Sequence, residues 1–321
     1  MNFSQSLEVR PTTRADLEAP WVEQLAKASS IVGGVNPAAP GVRRGSHFMV
    51  RCDEDMALAE SNFTVNDDPE IAAVAGGSAV EIKILGAPFG GSPHMEEAIH
   101  RIVDQTRGPH HPERVTLHLR AGATEWIQGK GMSFSKDSGL SIREVPTDLG
   151  IVQGEAHRYS WATPADSHCV SKIFETYLKG LSTKSTFINP SREAVMSVYR
   201  RVASIKDFGK TADNSVILLA RDGDSVLGVI ECSLGTVGDG SLISKLPVGA
   251  EVLSIDWIAV TPDSQGRRIG HHLVREVVRR TVTPKTKYLM AQHLVGPGTA
   301  QGFWESQGFV LTWEVHEGRF K

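Results

Sequence analysis

The chain is 321 residues long, enough for about two domains, and its 40% hydrophobic content supplies ordinary cores rather than a disordered chain. Its net charge of -3 offers no chain-wide attraction to nucleic acid or membrane, so either partner would need a local basic patch. No apolar run approaches the ~18 residues of a membrane span, the opening Met1 to Glu8 lacks the basic-then-apolar order of a signal peptide, and Cys52, Cys169 and Cys232 are too scattered and odd in number for a disulfide framework; a cytoplasmic protein is expected.

Thr13-Arg14-Ala15-Asp16 has Thr at a cap position and Asp three residues on, which opens a helix with the apolar stripe Leu17, Trp21 and Leu25. Ala79 to Leu85 reads as a central strand, Met95 to Thr106 as a helix, Val115 to Leu119 as a strand, and Trp126 to Met132 as a short helix and turn. Between the first strand and its helix lies Gly86 to His94, which has no basic residue except His94 and two prolines that lack N-H donors, a poor setting for phosphate. Pro and Gly then interrupt the pattern near Val145 to Gly150.

The same order returns about 150 residues later. Thr163-Pro164-Ala165-Asp166 repeats the capping arrangement, followed by the stripe Val170, Phe174 and Leu178. Cys169 follows His168, but neighbours on a helix point about 100° apart and do not form a nucleophile and base. Lys172, Lys179, Lys184 and the Arg200-Arg201 pair read as solvated helix faces. Val216 to Ala220 and Val226 to Ser233 flank the turn Arg221 to Ser225 and form a hairpin. Gly235 to Gly249 is a glycine-bearing excursion with Leu242, Ile243 and Leu246, either a surface loop or a flap over a substrate.

Leu253 to Val260 is an apolar, β-branched strand that Pro262 terminates. The hexapeptide Gln265-Gly266-Arg267-Arg268-Ile269-Gly270 comes next, then a helix with Ile269, Leu273, Val274, Val277 and Val278 on one face and Arg275, Glu276, Arg279 and Arg280 on the other. The first amides of that helix have no partner within it and carry the positive end of its dipole, so Gly266 to Gly270 can wrap an anion, with Arg267 and Arg268 adding charge at the rim. Lys287 to Ala291 is a further strand, and Gly302 to Phe309 a short helix and turn.

The loop Gln265 to Gly270 and the downstream Gly302-Phe303-Trp304-Glu305-Ser306-Gln307-Gly308-Phe309 together resemble the second half of the GNAT N-acetyltransferase superfamily, over roughly Gly154 to Lys321. The resemblance implies an α/β (α+β) fold of two GNAT-like domains, each a mixed, mostly antiparallel twisted sheet flanked by helices. Residues 1–149 would form a degenerate copy and 150–321 the copy with the coenzyme A site; the alternative for the first part is an unrelated α/β domain with the same alternation. It also implies that backbone groups of Ile258, Ala259 and Val260 pair with a pantetheine arm, that Val260 N-H polarises the thioester carbonyl, that Gln265 to Gly270 hold the pyrophosphate, and that the helix bearing Trp304 packs beside the thioester. Arg268 stands where the family usually has its first glycine, and its backbone is expected to avoid glycine-only angles. Trp304 replaces the family's usual acid, a Tyr; an indole cannot protonate a thiolate, which leaves Tyr288, Ser306, His293, a water, or departure without protonation.

An alkyl ammonium with a pKa near ~10.4 is deprotonated to about one part in a thousand at neutral pH, so acyl transfer to an amine needs a base or a desolvating pocket. Strand alternation puts Ser254, Asp256 and Ile258 on one face, and in similar enzymes the positions of Ser254 and Asp256 look toward the substrate. Asp256 is the titratable member of that set and the preferred base, with Glu251 in reserve; a structural ion pair with a loop arginine is its competing explanation. His271-His272 and His110-His111 lack metal-ligand spacing, so no metal is expected. The expected activity is transfer of acetyl from acetyl-coenzyme A, as co-substrate, to a small-molecule amine, with nucleic acid disfavoured as a partner. The alternatives are a non-catalytic acyl-coenzyme A sensor or scaffold, and an aminoacyl-tRNA-dependent transferase of the same fold.

Overall fold

The computed structural model describes residues 7–17, 19, 47–52, 55–65, 78–86, 93–107, 114–120, 134–146, 158–238 and 245–318. In the first half these form β1 (Leu7–Pro11), α1 (Arg14–Leu17), β2 (His47–Cys52), β3 (Asp55–Val65), β4 (Ser78–Gly86), α2 (Pro93–Arg107), β5 (Arg114–Arg120) and β6 (Phe134–Glu144). The second half continues with β7 (Arg158–Trp161), α3 (Ser167–Ser182), α4 (Arg192–Ala203), β8 (Ser215–Asp222), β9 (Ser225–Thr236), β10 (Glu251–Val260), α5 (Ile269–Thr281), β11 (Thr286–Leu294), α6 (Gln301–Ser306) and β12 (Val310–Gly318). Trp21, Leu25, Trp126 to Met132, most of Gly86 to His94, and Thr147 to Gly150 lie outside the described residues.

Among the described residues, twelve strands make one mixed sheet in the order β1-β2-β3-β4-β5-β12-β6-β11-β10-β9-β8-β7. Among the described strands only β4 with β5 and β10 with β11 run parallel; each pair is joined through a helix, α2 or α5, as a parallel connection requires. The last strand of each half is built into the other. β12 lies against β5, β6 lies against β11, and β6 and β12 pair with each other at the centre.

Local chemistry explains the elements. Thr13 and Thr163 each hold an aspartate three residues on: Thr13 N to Asp16 Oδ2 is 2.7 Å and Thr163 N to Asp166 Oδ2 is 2.9 Å. The stripe on α2 buries Ile99, Ile102 and Val103 against Val80, Ile82 and Leu117 of the first half. On the second half, α5 covers one face of the sheet through Leu273, Val274 and Val277, packed with Leu253, Ile255 and Leu289. On the other face, α3 and α4 contribute Phe174, Leu178 and Val198 against Ile217, Leu219 and Trp257. A smaller cluster joins the halves, with Leu58 and Leu85 from the first, Leu140 and Trp313 from the exchanged strands, and Leu246 from the excursion after β9.

Arg201 corrects the reading of the Arg200-Arg201 pair as solvated. Its Nη2 lies 2.8 Å from Glu231 Oε2, a carboxylate only 2% exposed that also accepts from Trp257 Nε1 at 2.6 Å and Ser215 Oγ at 2.6 Å. An ion buried in an apolar strand needs such partners, so the arginine is drawn inward.

Candidate functional site

The site begins where β10 ends. Pro262 opens a single 3₁₀ turn, Pro262–Ser264, and the chain then passes through Gly266 at φ 77° and Arg268 at φ 60°, ψ 12° before α5 starts. Arg268 therefore corrects one expectation: it occupies the left-handed region rather than avoiding it, a conformation that costs a residue with a Cβ roughly 1–2 kcal/mol. Left-handed backbone at Gly266 and Arg268, at the positive end of α5, is a turn type in which successive N-H groups can converge on an anion. Gln265 Nε2 reaches back to Val260 O at 3.4 Å, and Ile269, 2% exposed, anchors the first turn in the core. A Cβ on Gly270 would lie 3.0 Å from the Phe303 ring, so the glycine keeps open a space that a side chain would fill. Beside the loop, a cavity of about 710 Å³ is lined by Arg143 of β6 and by Arg268, His271, His272 and Arg275.

Before that loop, β10 does two unusual things at one residue. Its ladder with β11 runs from Glu251–Thr286 to Ile255–Ala291 and stops, so the strands part beyond Ile255. Its ladder with β9 skips from Ile255–Cys232 to Trp257–Glu231, a bulge whose extra residue is Asp256. The far edge of Asp256 to Val260 is thereby free of strand pairing with β11. Asp256 opens onto the resulting cavity and is exposed by area, yet protein surrounds it closely. Burial and the nearby charge of Glu231 push its pKa up to about 7, against hydrogen bonds from Ser233 (Oγ to Oδ1 3.0 Å) and Ser254 and the charge of Arg201. None of the hydrogen bonds or ion pairs described for Asp256 involves a loop arginine.

Other expected residues sort differently. Glu251 sits at the opposite end of β10, roughly 16 Å along the strand from Asp256, and accepts from Thr283 Oγ1 at 2.6 Å and Thr286 Oγ1 at 2.5 Å. It ties the end of α5 to β11 and does not face the cavity. Trp304 is 3% exposed, packed edge-on against Phe303 and Phe309 and stacked with His293. His293 is buried with both ring nitrogens engaged, Nδ1 with Leu294 O at 2.9 Å and Nε2 with Ser141 Oγ at 2.8 Å, and burial lowers its pKa. Ser306 donates to Phe303 O at 2.7 Å, and Tyr288 packs in the cluster that joins the halves.

The cavity at Asp256 has a volume of about 530 Å³. Ile255, Asp256, Trp257, Ile258 and Trp304 line it from the second half, and Tyr177 of α3 joins them, its hydroxyl pushed up to about 12 by burial. Across from these stand residues that the sequence did not mark: Glu81, Thr116, His118 and Asp137 from the first half, and Glu317 near the end of β12. Lys245 also lines it, with its Nζ 3.7 Å from Glu81, so the described end of the excursion after β9 is cavity wall rather than free surface. The signal that marks Asp256, a carboxylate in an apolar strand, is equally present at Glu231. Nothing in local pattern could have placed Glu81 or Glu317 here, because the strand exchange brings them in.

Among the described residues no group of three or more His, Cys, Asp or Glu is placed to hold a metal ion, and no helix is long and apolar enough to cross a membrane. No curated protein matches the chain. Among solved structures it is similar to a GCN5-related N-acetyltransferase from Sphaerobacter thermophilus (15% identity, covering 98% of this chain and 95% of that one, TM-score 0.49). It is also similar to a GCN5-related N-acetyltransferase from Kribbella flavida (10% identity, 94% of each chain, TM-score 0.44). Residues 213–311, from the start of the β8–β9 hairpin to the start of β12, match the family described as acetyltransferase (GNAT) domain. The parted β10–β11 pair and the Gln265 to Gly270 loop both fall within that span, so it is residues 213–311 that match a GNAT acetyltransferase domain.

Proposed function

We propose that the protein is an acetyl-coenzyme A-dependent N-acetyltransferase acting on a small-molecule amine, with the base at Asp256. The observation that supports this most strongly is the coincidence at one residue of the bulge, the parting of β10 from β11, and a carboxyl whose pKa stands near 7. A general base works best when its pKa lies near the working pH.

The residues present fit the co-substrate. The amides of Gly266 to Gly270, with Arg267 and Arg268, would hold its pyrophosphate; the cationic cavity at Arg143, Arg268 and Arg275 would take the nucleotide end; and the unpaired edge of Ile258 to Val260 would pair with the pantetheine arm. Acetyl-coenzyme A supplies an activated acyl group. The chain's own residues do the rest. Val260 N-H would polarise the acyl carbonyl. Asp256 accepts a proton from the incoming ammonium, directly or through water, and Ser233 and Ser254 orient its carboxylate. Trp304, Ile258 and Trp257 wall off water. With Trp304 in place of a tyrosine and both nitrogens of His293 engaged, the leaving thiol, pKa near ~8.5, departs without a dedicated acid from these positions. In the same proposal the chain is a tandem, 1–149 and 150–321, whose first copy has lost its phosphate loop.

Thermal shift with acetyl-coenzyme A, coenzyme A and tRNA, followed by release of free thiol on adding amines, tests the reading. A ligand at ~100 times its Kd should stabilise the fold by about 2.7 kcal/mol. Stabilisation by acetyl-coenzyme A with thiol release supports the enzyme; stabilisation without release with any amine favours a sensor; stabilisation by tRNA alone favours the aminoacyl-transferring alternative.

A further inference from the structure

Glu231 carries a buried carboxylate to which the chemistry above gives no part. It lies on β9 opposite Trp257, the first residue of β10 to rejoin that ladder after the bulge. Both oxygens are engaged: Oε2 accepts from Trp257 Nε1 at 2.6 Å and from Arg201 Nη2 of α4 at 2.8 Å, and Oε1 accepts from Ser215 Oγ of β8 at 2.6 Å. A buried ion pair adds little net stability over apolar side chains of similar volume; its best-attested use is to fix a register.

The register in question is visible in the burial of β10. Leu253 and Ile255 lie in the cluster under α5, and beyond the bulge Ile258 and Val260 pack against the same cluster. Even-numbered positions take over the face that odd-numbered ones held, which happens where one extra residue interrupts the alternation. Trp257 is thereby turned to the α3–α4 face, edge-on to Phe174, where its indole reaches the Glu231 carboxylate. In an unbroken ladder Trp257 would share the α5 face with Ile255, and Asp256 would take the α3–α4 face instead. The first half is a built-in control. One residue past the parting of β4 from β5, Ala59 stands opposite Ile84, both in an apolar cluster, and the ladder continues without a bulge.

We propose that Glu231 is a positioning residue for the acyl transfer: its bond to the Trp257 indole holds residue 257 on the α3–α4 face, keeps Asp256 as the extra residue of the bulge, and so aims the Asp256 carboxyl into the cavity where β10 leaves β11. The inference rests on Asp256 being the base and adds what holds that base in place. Two effects of Glu231 separate. Its hydrogen bond sets where Asp256 lies; its charge, beyond burial, raises the Asp256 carboxyl toward about 7. Cys232 on β9 and Arg201 on α4 also feel or exert charge at Asp256. Tyr177 and Lys184 at α3 and His293 on β11 line its cavity, with Lys245, Glu81, His118, Asp137 and Glu317 across from it. All of these stay the same in the variants below.

The test uses two variants of the full chain. Glu231→Gln keeps an acceptor for the indole and removes the charge; Trp257→Phe keeps a ring and removes the donor, leaving Glu231 with Arg201 and Ser215. The Asp256 carboxyl is titrated by carbon-13 NMR in aspartate-labelled protein, its signal identified by its loss in Asp256→Asn. In Glu231→Gln the titration midpoint should fall by about one pH unit, and the bend in thiol-release kcat/KM with it. In Trp257→Phe kcat should fall roughly ten- to a hundredfold while the calorimetric Kd for acetyl-coenzyme A stays within about twofold. A Glu231 that only stabilised the fold would lower Tm in both variants and move neither readout. An unchanged midpoint in Glu231→Gln, or an unchanged kcat in folded Trp257→Phe, overturns the inference; the second decides alone if Glu231→Gln does not fold. A midpoint that falls in Glu231→Gln, with no thiol released by wild type from any amine, keeps the coupling of Glu231 to Asp256 and removes the acetyltransferase reading instead.

Discussion

The two parallel strand pairs of this molecule part at comparable points: β4 leaves β5 after Lys83–His118, and β10 leaves β11 after Ile255–Ala291. Beyond those points the two diverge. The next residue on β4 is Ile84, 4% exposed and paired with Ala59 in an unbroken ladder, whereas the next on β10 is Asp256, lifted out of its ladder by a bulge. After β10 comes a loop with amides to spare; after β4 comes a segment with two prolines. The fold provides the gap twice, and a few local choices, a bulge, a carboxylate and a glycine-bearing turn, make one gap a site. The first half has a different part, since its last strand, β6, pairs with β11 and its Glu81 and Asp137 line the cavity at Asp256.

The comparison can be broken in order of expected effect. Asp256→Asn should lower kcat/KM by ~10²–10⁴ with acetyl-coenzyme A affinity unchanged, as read by steady-state thiol release and calorimetry. The converse change, Ile84→Asp, places a carboxylate in a ladder with no bulge to free it; urea melts should show a loss of about 3 kcal/mol, with turnover of the folded fraction unaltered. Gly139→Val probes the exchange of last strands. A Cβ there would lie 2.8 Å from Val295 and would also collide with Leu311, so overpacking should cost about 1–3 kcal/mol, and loss of one cooperative transition for two would argue that the halves are not interlocked. Arg268→Gly, which relieves the left-handed residue but loosens the unfolded chain, should change stability by less than about 1 kcal/mol.

Much of this is legible in the sequence because it is local. Ile269, Leu273 and Val277 are buried on α5 as their spacing requires, the capping threonines hold their aspartates, and the loop from Gln265 to Gly270 lies at the helix start. Asp256 stands out because a charge in an apolar strand is costly. Arg268 defies its expected backbone because a loop can impose an angle that the residue itself disfavours. Glu251 is misplaced by pattern alone, since position on a strand says nothing of which threonines reach it from the next turn. The cavity wall across from Asp256 is invisible in the sequence: Glu317 and Glu81 are 236 residues apart and flank one cavity because Thr116 of β5 pairs with both.

The central claim is that Asp256, held near pKa 7 where β10 parts from β11, takes the proton of the amine. Because its folded-state pKa is raised, ionising Asp256 costs stability as pH climbs from about 4 through about 7, while the same ionisation switches the base on. Thiol-release kcat/KM measured from pH 5 to 9 on wild type and Asp256→Asn is therefore the direct measurement. The account predicts that the wild-type profile rises about tenfold per pH unit and levels off above an apparent pKa near 7, and that in Asp256→Asn this bend disappears, the residual rate climbing with the free amine to pH 9; the same bend near 7 in both proteins would contradict it.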